Sequence, residues 1–178
     1  CVNHFGIVTS GYGYKAINRE FERILEAIDL INTRFPDMNV CLSLGILGEE
    51  PIKELSVRPI GHYNINLQVN PAKFSELIAD SHSIQDKITT ITLLNRYGIT
   101  VCCGGILGVG ETMRDRIDLA FTLQELGVSV IPLNVLVPIP GTPPGDYGLE
   151  IGVYTEADPV GLDILDPAGA PQGKRAML

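Results

Sequence analysis

Residues 99–111 hold the side chains of this sequence best suited to chemistry. Two adjacent cysteines, Cys102 and Cys103, are followed by Gly104, Gly105, Gly108 and Gly110, and the run closes on Glu111. Thiolates are nucleophiles and soft metal ligands. Glycines let a backbone turn tightly or pass close to a ligand. Ahead of the cysteines, β-branched Ile99, Thr100 and Val101 predict a strand. Behind the glycines, Thr112 with Asp115 three residues on predicts a capping box and the start of a helix. A strand leading through a glycine-rich turn into a capped helix is a βα unit with a binding loop at the strand's C-terminal end. The glycines match neither G-x-G-x-x-G nor the P-loop pattern, so the loop alone specifies no nucleotide. A ligand-free turn stays open as a reading, and the paired cysteines weigh against it.

The elements that would position this loop follow from periodicity. Strands are expected near residues 5–9, 38–44, 62–69, 99–106 and 128–137, and helices near 18–35, 49–57, 83–97 and 112–126. In the first helix Phe21, Ile24, Leu25, Ile28 and Ile31 form a one-sided stripe. Ser83 with Asp86 predicts a second capping box. In the helix after Thr112, Ile117, Ala120, Phe121 and Leu126 are expected to face inward. The junctions 97–101 and 126–130 both read apolar, Gly, β-branched, hydroxyl, Val, so a helix-to-strand unit repeats. Strands alternating with helices imply a parallel sheet, as a partial (β/α)8 TIM-type barrel or an open doubly wound sheet.

The strand faces favour the barrel. Val40, Leu42 and Leu44 alternate with Asn39, Cys41 and Ser43; Tyr63, Ile65, Leu67 and Val69 alternate with Asn64, Asn66 and Gln68. Central strands of an open sheet are covered on both faces and read apolar throughout. A barrel with its ligand inside would gather Asn39, Cys41, Asn64, Asn66, Gln68, Cys102 and Asn134 around one cavity, unless these groups only satisfy one another. Alternation sends Cys103 outward with Val101, although a bulge at the glycines would turn it inward. Residues 1–151 thus read as an α/β partial barrel of about five parallel strands. Residues 152–178 show no sustained period and read as an irregular or disordered tail, such as a frameshifted gene end would give.

Length, charge and cysteines narrow the classes. The 178 residues carry a net charge of −8 without a basic run, which argues against a nucleic-acid partner. No apolar run is long enough to span a membrane and no secretory signal is visible, so a cytoplasmic location is expected. Four cysteines without C-x2-C spacing, in a chain of this size, point to free thiols or metal ligation rather than disulfides. The first residue is Cys, and the chain reads as a fragment.

From about Phe5 to Thr142 the sequence resembles the biotin synthase family of radical S-adenosylmethionine (SAM) enzymes. Residues 63–67 are similar to that family's polar strand between substrate and SAM. Residues 101–111 resemble its cysteine-containing glycine strand and fit the wider pattern G-x-I-x-G-x-x-E as Gly104, Ile106, Gly108 and Glu111. Residues 132–137 and 141–143 resemble the next strand and its exit. The resemblance implies a (β/α)8 barrel that inserts sulfur into dethiobiotin to form biotin. It implies a SAM-cleaving [4Fe-4S] cluster and an auxiliary iron–sulfur cluster that donates sulfur. By position, Asn66 and Asn134 would contact dethiobiotin. Asn66 and Gln68 would lie near the SAM ribose and Ile106 against the adenine, with Gly104 and Glu111 in the same cofactor-binding strand. Cys41 and Cys102 would ligate the auxiliary cluster as its catalytic cysteines, with Cys103 a third candidate. An electron donor such as flavodoxin or ferredoxin and a homodimeric full-length protein are implied as partners.

The departures are specific. No C-x3-C-x2-C occurs, and the family's first and last two strands would lie outside this stretch. Gly6, Cys103 and Gln68 stand where the common pattern has Cys, Ser and Asp. They suggest a subtype with a differently built auxiliary cluster. Two competing readings are another radical SAM enzyme and a non-redox half-barrel whose glycine loop holds a small molecule or an anion at the helix beginning near Thr112.

Overall fold

The computed structural model describes residues 3–79 and 83–137, together with the backbone of 163–165 and 171–174. Cys1, residues 141–143 and the expected boundary near residue 152 lie outside the described residues. The chain divides into two compact units, Cys1–Val137 and Pro138–Leu178.

The first unit alternates strands and helices: β1 His4–Val8, β2 Gly13–Tyr14, α1 Arg19–Arg34, β3 Asn39–Ser43, β4 Ile46–Leu47, α2 Glu49–Ser56 and β5 His62–Asn64. A 3-10 turn, Pro71–Lys73, leads into α3 Phe74–Leu77 and α4 Ile84–Arg96. Then come β6 Val101–Cys102, β7 Gly105–Leu107, α5 Met113–Glu125 and β8 Leu133–Val135. In the second unit, β9 Asp163–Leu165 and β10 Pro171–Lys174 pair antiparallel.

All strand pairs of the first unit are parallel. The main sheet runs β1-β3-β5-β6, and single bridges extend it from Cys102 to Val130 and from Gln68 to Gly105, where β7 pairs with β8. Each new strand therefore adds to the same edge. A doubly wound sheet reverses direction at a switch point. No reversal occurs among the described strands, and sequential addition is the order of a barrel wall.

The core lies on the helix side of this wall. Val40, Leu42 and Leu44, then Tyr63, Ile65, Leu67 and Val69, then Val101 and Cys103 are all buried, as alternation predicts. Nearly all of them form one cluster with Phe21, Ile24, Leu25 and Ile28 of α1, Ile52 and Leu55 of α2, Ile91 and Leu94 of α4, and Leu119 and Leu123 of α5. Fully buried side chains such as Phe21 and Ile28 each contribute about 1.5–3 kcal/mol. Tyr63 brings a hydroxyl into this core. It donates to the Gly45 carbonyl at 2.7 Å and accepts from the Leu44 amide at 3.2 Å, so the turn after β3 is tied to β5.

The repeated junctions are the same motif. Gly98 and Gly127 follow α4 and α5 with φ of +74° and +66°. In each, the glycine amide and the amide after it reach back to the helix: Gly98 to Asn95 and Ile99 to Leu94, Gly127 to Gln124 and Val128 to Leu123. This is the Schellman arrangement, which satisfies the last helical carbonyls.

Three expectations change. The third, fourth and fifth strands are shorter than their expected runs, the fifth reduced to Leu133–Val135 with a single bridge at Val130. The ladder lapses between Asn64 and Gln68, which has φ of +73°, and between Cys102 and Gly105, because an asparagine side chain intervenes there, as described below. Ser83 caps α4 through the Gln85 amide at 3.1 Å, but Asp86 receives the Tyr12 hydroxyl rather than completing a capping box. In α5 the inward residues are Leu119 and Leu123, with Leu126 packed against the core, whereas Ile117, Ala120 and Phe121 are exposed. The capping box and the Schellman glycine fix the helix's ends, and the rotation between them presents the 119/123 row to the sheet.

The glycines near the site are constrained in two different ways. A Cβ on Gly98 would meet nothing within 4 Å, so only its positive φ resists substitution. A Cβ on Gly104 would lie 1.7 Å from the Pro132 carbonyl oxygen. We therefore expect Gly98→Ala to destabilise by about 1–2 kcal/mol and Gly104→Ala by more, roughly 3 kcal/mol or above, because two backbone segments must separate. Urea denaturation midpoints of the two variants check the order, and equal losses would contradict it.

Candidate functional site

The polar face of the wall is built in rungs. Paired residues on parallel strands share a side of the sheet. Gly6, Cys41 and His62 stand side by side on β1, β3 and β5. Two residues further along, Ser43 belongs to the face of Cys41, and Asn64 is paired with Cys102. Cys41 and Cys102 thus occupy one face of the sheet. Cys103, with no exposed surface, lies on the other among the core residues, so the glycines do not turn it inward.

Cys41 Sγ lies 3.4 Å from His62 Nδ1. Burial pushes the Cys41 thiol up, against a hydrogen bond from the His62 backbone. Burial also pushes Cys102 up, and the nearby Cys41 adds to the effect. Cys103 rises to about 11, chiefly through burial. All three are free thiols. Among the described residues, no three His, Cys, Asp or Glu side chains converge tightly enough to hold a single metal ion. His62 went unnoticed in the sequence. The signal for it was its position opening the third strand, on the face of Asn64 and Asn66.

Above the thiols lies a cavity of about 400 Å³, lined among others by Tyr12, Ser43, Asn64, Asn66, Gln68 and Lys87. Asn64 Oδ1 is buried and lacks a hydrogen-bond partner among the described residues. A buried acceptor left unpaired costs about 1–3 kcal/mol, so this atom calls for a donor from a bound molecule or water. Lys87, from α4, donates to the Asn66 carbonyl at 2.9 Å and sits over the Phe74 ring, and burial lowers its pKa. The sequence offered no cue for Lys87 beyond its place one turn into that helix.

Asn66 has a structural bond as well as a cavity position. Its Oδ1 accepts the Gly104 amide at 2.8 Å, leaving the Nδ2 donors available. The ladder closes around this bond: Gln68 donates to Gly104 at 3.0 Å and Ile106 to Gln68 at 2.7 Å. Ile106 pairs with Asn134 on β8. Asn134 itself is exposed and does not line the cavity, so the seven polar residues expected around one space do not all converge. Among the described strands β8 forms an edge of the wall, paired only with β7.

Glu111 is directed at its own loop. Its oxygens accept the Gly108 and Val109 amides, both at 2.8 Å, and Arg116 Nε donates at 2.8 Å. Thr112 and Asp115 form the expected capping box, and Asn70 donates to Asp115 at 3.2 Å. These bonds occupy the Gly108, Val109, Thr112 and Asp115 amides. The Gly108 amide is the largest cause holding the Glu111 carboxyl at about 2, against an ordinary value of 4.5. A carboxyl depressed on folding contributes stability above its unfolded pKa and loses it as pH falls through the folded value. Glu111→Gln should therefore differ most from the parent above pH 5, and the gap should close between about pH 4.5 and 2. Urea midpoints at stepped pH measure this; a constant gap would contradict it.

No family model matches the chain. It is 62% identical over 142 residues to the biotin synthase of Chlorobium phaeobacteroides strain BS1 and equally to that of Pelodictyon phaeoclathratiforme, covering 80% of this chain and 42% of each relative. The biotin synthase of Chlorobaculum tepidum is 59% identical over the same length. The chain therefore spans about two fifths of the relatives it matches. Among solved structures, methylornithine synthase (PylB) superposes with a TM-score of 0.60 at 13% identity, covering 68% of this chain and 36% of that one. SuiB of Streptococcus suis bound to S-adenosylmethionine gives 0.57 at 11%, covering 77% and 30%. The hydrogenase maturase HydG of Carboxydothermus hydrogenoformans gives 0.56 at 13%, covering 77% and 34%. These likenesses establish the fold, a partial (β/α) barrel, and the sequence identities tie 142 residues of the chain, 80% of it, to proteins named biotin synthase at about 60% identity.

Proposed function

We propose that this chain forms part of an enzyme that inserts sulfur into dethiobiotin to make biotin. The observation that carries the proposal is the placement of Cys41 and Cys102 on the polar face of a radical SAM barrel wall, beside a cavity lined by Asn64, Asn66 and Gln68. Thiols on neighbouring strands of one face suit an iron–sulfur cluster, and the donor chemistry fits an auxiliary one. Such a cluster would supply the sulfur, while SAM bound at a second, [4Fe-4S] cluster would supply the radical that activates the substrate carbon. The C-x3-C-x2-C loop for that second cluster does not occur in the 178 residues.

This chain's own residues would bind and orient. Asn66 would present its Nδ2 donors to the ureido group of dethiobiotin, and Asn134, which lies outside the cavity in this chain, would add a donor and an acceptor once the barrel is complete. Asn66 and Gln68 would face the SAM ribose and Ile106 the adenine. Gly104 would let the strand pass close to the ligand, and Glu111 would hold the glycine loop that follows. Lys87 would add a cation at the cavity wall. Cys103, on the core face, is left out of the ligand set. We assign flavodoxin or ferredoxin as electron donor, a homodimer as the full-length state and the cytoplasm as its place. No described helix is long and apolar enough to cross a membrane. An anion-binding half-barrel is less well supported, since Glu111 takes the Gly108 and Val109 amides of the glycine loop and the capping box takes those of Thr112 and Asp115.

Two measurements test the proposal. After anaerobic incubation with iron and sulfide the chain should turn brown. Cys41→Ala and Cys102→Ala should each bring bound iron near background, while Cys103→Ala retains it. A colourless parent protein would refute the cluster assignment. By calorimetry on a full-length parent, Asn134→Ala should weaken dethiobiotin binding by about 1–3 kcal/mol, the effect of leaving a polar group unpaired; undiminished affinity would remove Asn134 from the site.

A further inference from the structure

Cys41 has two neighbours on its rung. On β1 stands Gly6, which offers no side chain and above which a Cβ would meet nothing within 4 Å. On β5 stands His62, whose Nδ1 touches the thiol sulfur at 3.4 Å. His62 is half-buried and on the polar face, and the structure gives its ring no partner other than this sulfur among the described residues. We propose that His62 is a nitrogen ligand of the auxiliary iron–sulfur cluster, sharing one iron with Cys41, while Cys102 holds the other iron. This inference rests on the cluster proposed above.

Geometry supports the shared iron. A tetrahedral metal bonded to a thiolate at about 2.3 Å and an imidazole at about 2.0 Å separates the two donor atoms by about 3.5 Å. The observed 3.4 Å matches that separation. Cys102 lies one rung further along, across Asn64 on the adjoining strand, so it would meet a second metal atom rather than the same one. This spread also explains why no three donors converge on a single ion. Two protein ligands on one iron is the pattern of a two-iron cluster. In a four-iron cube each iron takes a single protein ligand, so Cys41 and His62 could not share one. On binding, Cys41 gives up its thiol proton and His62 donates the Nδ1 lone pair.

The test uses the 178-residue chain, reconstituted anaerobically with iron and sulfide. In chain grown on 15N-histidine, the reduced cluster should show the strong hyperfine coupling of a directly bonded nitrogen. His62→Ala should abolish that coupling and lower iron per chain by at least about half, with circular dichroism reporting an intact fold. His62→Cys should restore iron and sulfide without nitrogen coupling and shift the cluster's reduction potential downward, since imidazole ligation raises it. His4 and His82 serve as internal controls, because neither changes in these variants. If the cluster forms, Cys41→Ala destroys it, and His62→Ala leaves iron and spectrum unchanged, His62 only hydrogen-bonds the thiol and the ligand assignment is wrong while the cluster stands. If the parent chain takes up no cluster, both proposals fall.

Discussion

The contact between Asn66 and Gly104 organises the working part of this chain. The third and fourth strand runs cannot continue as a simple ladder there, because the Gly104 amide is taken by the Asn66 side chain. The backbone resumes pairing at Gln68 and Gly105 only with the chain held in that shape. On its other side Gly104 abuts the Pro132 carbonyl so closely that no side chain fits. Three segments from distant parts of the sequence thus meet at one peptide unit. The positions of Asn64, Asn66 and Gln68 at the cavity, and of Ile106 opposite Asn134, follow from it.

A second constraint is the pleat. Successive residues of a strand point to opposite sides, so adjacent cysteines have opposite fates. Cys103 packs with Val101 among the helices, where a thiol behaves as a small apolar group. Cys102 shares the polar face with Asn64 and, one rung back, with Cys41 and His62. The same alternation places Tyr63, the largest fully buried side chain among the described residues, between two neighbours on the polar face, so core and site are built from one strand. A one-residue slip in β5 would exchange the two sets, and the Tyr63 hydrogen bonds to Leu44 and Gly45 oppose that slip.

The glycine loop shows how a binding strand is kept in shape before anything binds. Glu111 closes it by accepting two of its amides, Arg116 holds Glu111, and the capping box sets the start of α5 immediately afterward. Asp115 is shared between this helix start and Asn70, which links the loop to the segment following Gln68. Loop, helix and cavity wall are therefore one hydrogen-bonded unit.

The sequence by itself determined whatever depends on local spacing. Period-two runs identified β3 and the core face of β5, the 3.6-residue stripe located α1, and the repeated Gly junctions marked two Schellman ends. Family motifs identified Cys41, Cys102, Asn66 and the glycine strand as candidates, because a motif is itself a matter of residue type and spacing along the chain. What it left to the tertiary structure were relations between distant segments. Nothing local to Asn66 says that its carbonyl oxygen is taken by Gly104, nothing near Cys41 says that His62 lies against it, and the rotation that turns Leu119 and Leu123 inward instead of Ile117 and Phe121 depends on how α5 meets the sheet. Period and propensity report a residue's side of its own element, whereas a site is set by the register between elements, and register appears only when the strands pair.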